Sequence, residues 1–307
     1  MTRPGVVATA PGSIGNVGPG LDILGLAVAG PGDSVHADFG SGSGIVVLDA
    51  GHPELPRDPT RNTAAIAAAA VSRLLGNTRG LALSVTKGLP LSGGQGGSAA
   101  SAIGGAVATD ALLGGGLTTA QLLACALEAE ATVAGRHLDN LAPSLLGGLV
   151  LVRTLDPIEV VRLTLPPDLQ VVLVHPAQRM RTRDARAVLP ASLPREVALQ
   201  QAANVAAMVA GACLGDMALF GRAIDDRIAE PVRAPLLPGF QAARDAAHAA
   251  GALGCSISGA GPTAFAFAAD PDIAARVAQA MTAAYRADGL AASATITQVD
   301  HQGARLS

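Results

Sequence analysis

The 307 residues carry 21 Lys and Arg against 24 Asp and Glu, a formal charge of −3, with 50% hydrophobic and 15% charged residues. A chain so near neutrality, with no basic cluster and 2% aromatic residues, has neither the electrostatics nor the stacking surface of a nucleic-acid binder. Cys125, Cys213 and Cys255 are widely spaced in apolar contexts and suggest neither a disulfide framework nor a zinc site, which fits a reducing cytoplasm.

The length allows two domains, each with its own core. Met1 to Gly5 leads into a strand rather than a signal peptide, and no apolar run approaches about 18 residues without glycine or charge, so no membrane span is expected. Val6–Ala10 reads as a short strand entering Pro11–Asp22, a loop too rich in glycine for regular structure. Leu24–Val28, Ser34–Phe39 and Ile45–Leu48 read as strands of an antiparallel sheet. Three prolines break His52–Arg61, after which Asn62 or Thr63 can cap an alanine-rich helix to about Leu75.

A strand at Leu81–Thr86 then feeds Pro90–Ser101, where Gly93, Gly94, Gly96 and Gly97 directly precede a second alanine-rich helix, Ser98–Leu113. Glycine permits positive φ and close ligand approach, so consecutive N–H groups can converge on phosphate oxygens. The helix N-terminus behind them adds about half a positive charge. Two better-known phosphate loops do not fit. A Walker A loop ends in Gly-Lys-Ser/Thr, whereas Ser98 follows Gly97 directly. Gly94–Ala99 matches G-x-G-x-x-A, but a second helix, Thr119–Ala134, follows where the dinucleotide fingerprint needs a strand closed by an acidic residue. Gly135 ends that helix, Arg136–Pro143 reads as a polar loop, and Gly147–Thr154 reads as a buried strand.

Pro157 and the Pro166-Pro167 pair place a boundary between domains spanning 1–155 and 156–307. The second half reads as strand Gln170–His175, charged loop Gln178–Arg186, then helices Arg195–Leu214, Met217–Ile224 and Phe240–Ala250. Strands Gly254–Ser258 and Thr263–Phe267, helix Pro271–Ala287 and strand Ala291–Val299 follow. That order suggests an α+β fold, with a ferredoxin-like sheet carrying helices on one face.

Three glycine-centred segments stand out: Pro11–Asp22, Pro90–Ser101 and Ser256–Thr263. Together they resemble the GHMP kinases, and Gly12–Ala27, His137–Gly148 and Ile257–Thr263 are most similar to the homoserine kinases of that superfamily. The likeness spans essentially the whole chain. It implies an N-terminal domain of ribosomal protein S5 domain 2-like fold, a ferredoxin-like C-terminal domain, ATP and Mg²⁺ as cofactors, and transfer of the ATP γ-phosphate to the homoserine hydroxyl.

By the same resemblance ATP meets Asn62, Lys87 and the run Pro90, Leu91, Ser92, Gly93, Gly94, Gln95, Gly96, Gly97, Ser98, Ala99 and Ala100. Ser98 is the implied hydroxyl ligand of Mg²⁺, with a plain helix cap as the alternative. Glu128 and Glu130 point about 200° apart on a helix, so only one can face the site, and the spacing to Gly135 favours Glu130 as the second metal ligand. Asn62 either contacts adenine or caps its helix, and Lys87 either approaches phosphate or faces solvent.

Asn16, Asp22, His137, Asp139, Thr182, Arg186 and Arg233 match the homoserine-binding positions, where carboxylates and amides suit an ammonium and two arginines suit a carboxylate. Asn140 stands where related kinases place an aspartate base. An amide cannot take up a proton, so the resemblance implies catalysis by positioning and electrostatics, with Asn140 and Arg186 as catalytic residues and Arg186 meeting the developing charge. The sequence departs from the family pattern at Gly97, where a serine is usual, and at Leu21, Arg136 and Leu138. Two other readings are a GHMP kinase for a shikimate or isoprenoid precursor and a non-catalytic nucleotide-binding regulator. Neither nucleic acid nor membrane is an expected partner, and a homodimer is left open.

Overall fold

The computed structural model describes residues 5–307, so Met1–Pro4 of the expected lead into the first strand lie outside the described residues. The first half builds β1 (Val6–Gly15), β2 (Leu24–Phe39), β3 (Ile45–Asp49), α1 (Thr63–Leu74), β4 (Leu81–Thr86), α2 (Gly97–Leu113), α3 (Thr119–Val133), α4 (Leu141–Leu146), β5 (Leu149–Leu155) and β6 (Ile158–Leu163). The second half opens with β7 (Gln170–Pro176), α5 (Thr182–Ala187), α6 (Arg195–Leu214), α7 (Met217–Arg222) and α8 (Glu230–Arg233). It closes with α9 (Phe240–Ala249), β8 (Gly254–Ile257), β9 (Ala264–Ala268), α10 (Pro271–Ala287), β10 (Ala292–Gln298) and β11 (Arg305–Leu306).

The first sheet runs β11-β1-β2-β4-β3, with β5 also on β2 and β6 on β5. Pro11–Gly15, expected as loop, continues β1, because β2 supplies the ladder: Gly12 faces Val28 and Gly15 faces Gly25. A bulge between Pro11 and Gly12 absorbs the glycines and prolines of β2, so the two strands expected at Leu24–Val28 and Ser34–Phe39 form one bent strand. Ile158–Leu163, placed by expectation in the second domain, pairs with β5 in this first sheet, and β11 returns to β1.

Helices α1, α2 and α3 cover one face of this sheet with buried alanines. Their backbones approach closely: a Cβ on Gly105 of α2 would lie 2.3 Å from the Ala64 carbonyl oxygen of α1. The opposite face, with Ile14, Leu24 and Leu26, meets Met208, Phe220, Phe265 and Phe267 of the second half. Phe267 stacks edge to face on both Phe220 and Phe265 with ring centroids 5.4 Å apart, each pair contributing about 0.5–1.5 kcal/mol beyond its burial.

The second sheet is antiparallel in the order β10-β7-β9-β8, the arrangement of a ferredoxin-like βαββαβ unit. Side chains alternate along β7 and β9: Val171, Leu173, Phe265 and Phe267 face the first half, whereas Val172, Val174, Ala264 and Ala266 pack under α9 and α10. By length and composition α6 would suffice to cross a membrane. Its buried Gln201 and Asn204 instead bond to the Pro19 carbonyl, Asp226 and Asp225, which fastens it to the protein.

Candidate active site

A cleft of about 420 Å³ lies where the three glycine segments meet. Gly94 and Gly96 of the middle segment have φ of +70° and +65°, and Gly96 immediately precedes α2. The carbonyl side of the loop is spent on protein contacts. Thr263 Oγ1 donates to Gly93 O and Ser258 Oγ to Gly94 O, each at 2.5 Å, and the Ser13 N–H donates to Gln95 O at 3.1 Å. Gly259 N–H also donates to Gly15 O at 2.9 Å, which closes the third segment onto the first. Pro90, Leu91, Ser92, Gly93, Gly94, Gly96, Gly97 and Ser98 line the cleft, with the unpaired amides of the α2 N-terminus beside them. Three residues of the expected run stand back. Ala99 and Ala100 are wholly buried in the helical core, and Gln95 contributes its carbonyl to Ser13.

Ser98 is not a helix cap, because α2 begins one residue earlier with Gly96 as its N-cap. Its hydroxyl reaches Glu130 Oε2 at 3.1 Å. Burial, partly offset by that hydrogen bond, pushes the Glu130 carboxyl up to about 7. Glu128 lies on the outside of α3, paired with Arg73 at 2.7 Å. Among the described residues no group of three or more His, Cys, Asp or Glu could hold a metal. Ser98 and Glu130 together offer the sparse set of oxygens that suits a hard cation whose other ligands are phosphate and water.

The other end of the cleft is a charge clamp. Arg186, on α5, donates to both oxygens of Asp22 at 2.7 and 3.3 Å, and His137 Nδ1 lies 3.2 Å from the same carboxylate. Burial lowers the His137 pKa although Asp22 opposes the shift. Asn16 and Asp22 both hold positive φ, +54° and +62°, a strained choice for non-glycine residues, and the Asp22 N–H donates to Asn16 Oδ1 at 2.8 Å to secure the turn. Asp139 is enclosed, accepts from the Asn16 N–H at 3.1 Å, and is pushed up to about 7 by burial and then by Asp22.

Arg233 is buried and aimed by bonds to the Ala185 and Gly259 carbonyls, each 3.1 Å. Thr182 and Asn140 complete the lining. Asn140 Oδ1 accepts from the Ser13 hydroxyl at 2.9 Å and its Nδ2 donates to Asp139 at 3.3 Å, so the amide is braced on both sides.

Two expected ATP contacts are committed elsewhere. Lys87 neither faces solvent nor has a free donor: its ammonium bonds Asp33, Gly97 O and Ser101 Oγ. Asn62 caps α1 through Ala65 N–H at 3.2 Å and donates to Pro56 O at 3.0 Å, leaving one amide hydrogen on the cleft wall. The apolar wall there, Leu55, Pro56, Val85, Val133 and Met180, escaped the sequence reading, as did Ser13, Asp33, Ser258 and Thr263. The only local signal was that Ser13, Ser258 and Thr263 sit within glycine segments already singled out.

Residues 62–148 match the family model of the GHMP kinases N-terminal domain, and residues 207–287 match that of the GHMP kinases C-terminal domain. A homoserine kinase of Chlorobaculum tepidum is 39% identical over 98% of both chains. One of Arabidopsis thaliana is 41% identical over 97% of this chain and 83% of its own length. The crystal structure of homoserine kinase from Cytophaga hutchinsonii superposes with a TM-score of 0.94 at 37% identity, covering 100% of this chain and 98% of that one.

Proposed function

Because the chain belongs to the homoserine kinase family of the GHMP kinases, we propose that it transfers the γ-phosphoryl group of ATP to the side-chain hydroxyl of L-homoserine, giving O-phospho-L-homoserine and ADP. The observation that carries this reading is a single cleft with two differently built ends. One end is a glycine loop and helix N-terminus suited to a polyphosphate. The other sets Asp22 and Asp139 against Arg186 and Arg233, as a free amino acid with both an ammonium and a carboxylate requires.

Ser98 and Glu130 are the residues that would hold Mg²⁺, which when bound neutralises charge building on the phosphate oxygens. Asn140, fixed by Ser13 and Asp139, orients the attacking hydroxyl toward the loop. With no unburdened carboxylate at position 140, the phosphoryl oxygens are the acceptors left for the hydroxyl proton. Arg186 reaches both the substrate clamp and the transferring group, and stabilises the charge that develops there. Two buried cysteines and one exposed, none paired, support a reducing, cytoplasmic setting.

A coupled ADP-release assay tests the reading. Homoserine with Mg²⁺ should be turned over, with serine and threonine much poorer because the hydroxyl must reach the in-line position while both charged ends stay clamped. Equal turnover of mevalonate or shikimate would remove homoserine as the substrate.

A further inference from the structure

Asp33 lies at the end of the bend Gly30-Pro31-Gly32 in β2 and is wholly buried. Its Oδ1 accepts from the N–H groups of Gly88 and Leu89, each at 3.2 Å. Its Oδ2 accepts from the Ser101 hydroxyl at 2.6 Å and from the Lys87 ammonium. Lys87 also donates to Gly97 O and Ser101 Oγ, each at 3.1 Å. These bonds use all three ammonium protons and grip the phosphate loop at both ends. Gly88 and Leu89 follow the end of β4, while Gly97 and Ser101 belong to the start of α2.

Such a pair is a poor investment in stability alone, because an apolar pair of similar volume commonly does as well. Its distinct product is geometry. A cradle of backbone N–H groups binds anions well only if its peptide planes stand in place before the ligand arrives. Side chains cannot supply that order within a run of glycines, so it must come from anchors at the ends.

We propose that Asp33 is a positioning residue for the nucleotide. Through Lys87 and Ser101 it holds Gly88, Leu89 and Gly97 so that the loop amides converge on the polyphosphate, and Lys87 acts from beneath the loop rather than as a phosphate ligand. The inference rests on the ATP-dependent reading above.

Calorimetric ATP titration, homoserine KM and thermal unfolding of three variants test it against the wild type. Asp33→Asn should lower Tm and weaken ATP about tenfold or more while homoserine KM stays within about twofold. The double variant Asp33→Leu with Lys87→Met should recover Tm but keep the ATP defect, since apolar packing replaces the pair without its directed bonds. Ser101→Ala, which removes one hydroxyl and should fold normally, should weaken ATP about threefold with homoserine KM unchanged, and it decides the matter if the others do not fold. Recovery of ATP affinity together with Tm in the double variant, or a Ser101→Ala protein that binds ATP like wild type, would overturn the inference. Wild-type protein that binds no ATP would overturn the kinase reading and this inference together, whereas normal wild-type binding with unaltered variants would overturn Asp33 alone.

Discussion

Gly96→Ala isolates the demand that the phosphate loop makes on its backbone. At φ +65° an alanine is strained by about 1–2 kcal/mol whatever its surroundings. Here the added Cβ would also stand 2.1 Å from Ser13 Oγ and 2.9 Å from Asn140 Oδ1, distances that real Cβ atoms essentially never show. Ser13 must therefore retreat by about 0.9 Å to reach 3.0 Å, breaking its bond to Asn140 at a further cost of about 0.5–1.5 kcal/mol. The stability loss then comes to about 1.5–3.5 kcal/mol. A displacement of that size at a positioning residue lowers kcat/KM by about ten- to a hundredfold. Gly116→Ala is the control, having φ +63° and nothing within 4 Å of its added Cβ. Thermal unfolding and coupled ADP release on both proteins separate the two contributions. If Gly96→Ala matches Gly116→Ala in both measurements, contact with Ser13 and Asn140 does not matter and the account of the cradle is wrong.

Asn140→Ala should lower kcat by well under the roughly 10²–10⁴ that follows loss of a true acid or base, whereas Arg186→Ala should cost on the order of 10³–10⁵ and raise homoserine KM. A larger loss for Asn140 than for Arg186 in steady-state kinetics would reverse their roles. Asp139 and Glu130 have carboxyl pKa values raised to about 7, so the folded state binds more protons than the unfolded state between their ordinary values and about 7. Their contribution to stability is full at acid pH and is lost as pH rises through that window. Asp139→Asn should accordingly raise the Tm of the ligand-free protein at pH 8 more than at pH 5, an effect that equal Tm changes at the two pH values would exclude. Tyr285 buries its ring, yet its hydroxyl has no hydrogen-bond partner. Tyr285→Phe should leave Tm unchanged or raise it, and a drop of several degrees would reveal an interaction of that hydroxyl.

Much of the fold was legible because apolar runs and breakers coincide with element ends. Leu81–Thr86, Arg195–Leu214 and Pro271–Ala287 form as read from their patterning. Elements that owe their form to distant partners were not. Pro11–Gly15 carries local signals for loop, and only β2 makes it strand. Thr182–Ala187 reads as charged loop, yet Ala185 is buried and its carbonyl receives Arg233, so tertiary contact pays for the helix. The site divides in the same way. The glycine loops announce themselves locally, and helical geometry separated Glu130 from Glu128 before the surface pair with Arg73 accounted for the latter. Asp33 gave no such signal, since its partners Gly88, Leu89 and Ser101 lie 55 to 68 residues away along the chain.

Ser258 and Thr263 reach across from the second sheet to fasten Gly94 and Gly93. The nucleotide-facing half is consequently no self-sufficient cassette. A fragment truncated after β6 would keep its glycines and shed the hydroxyls that turn their carbonyls aside. Exchanging the C-terminal half for that of another kinase of this family would retune nucleotide affinity even with every residue of the loop left in place.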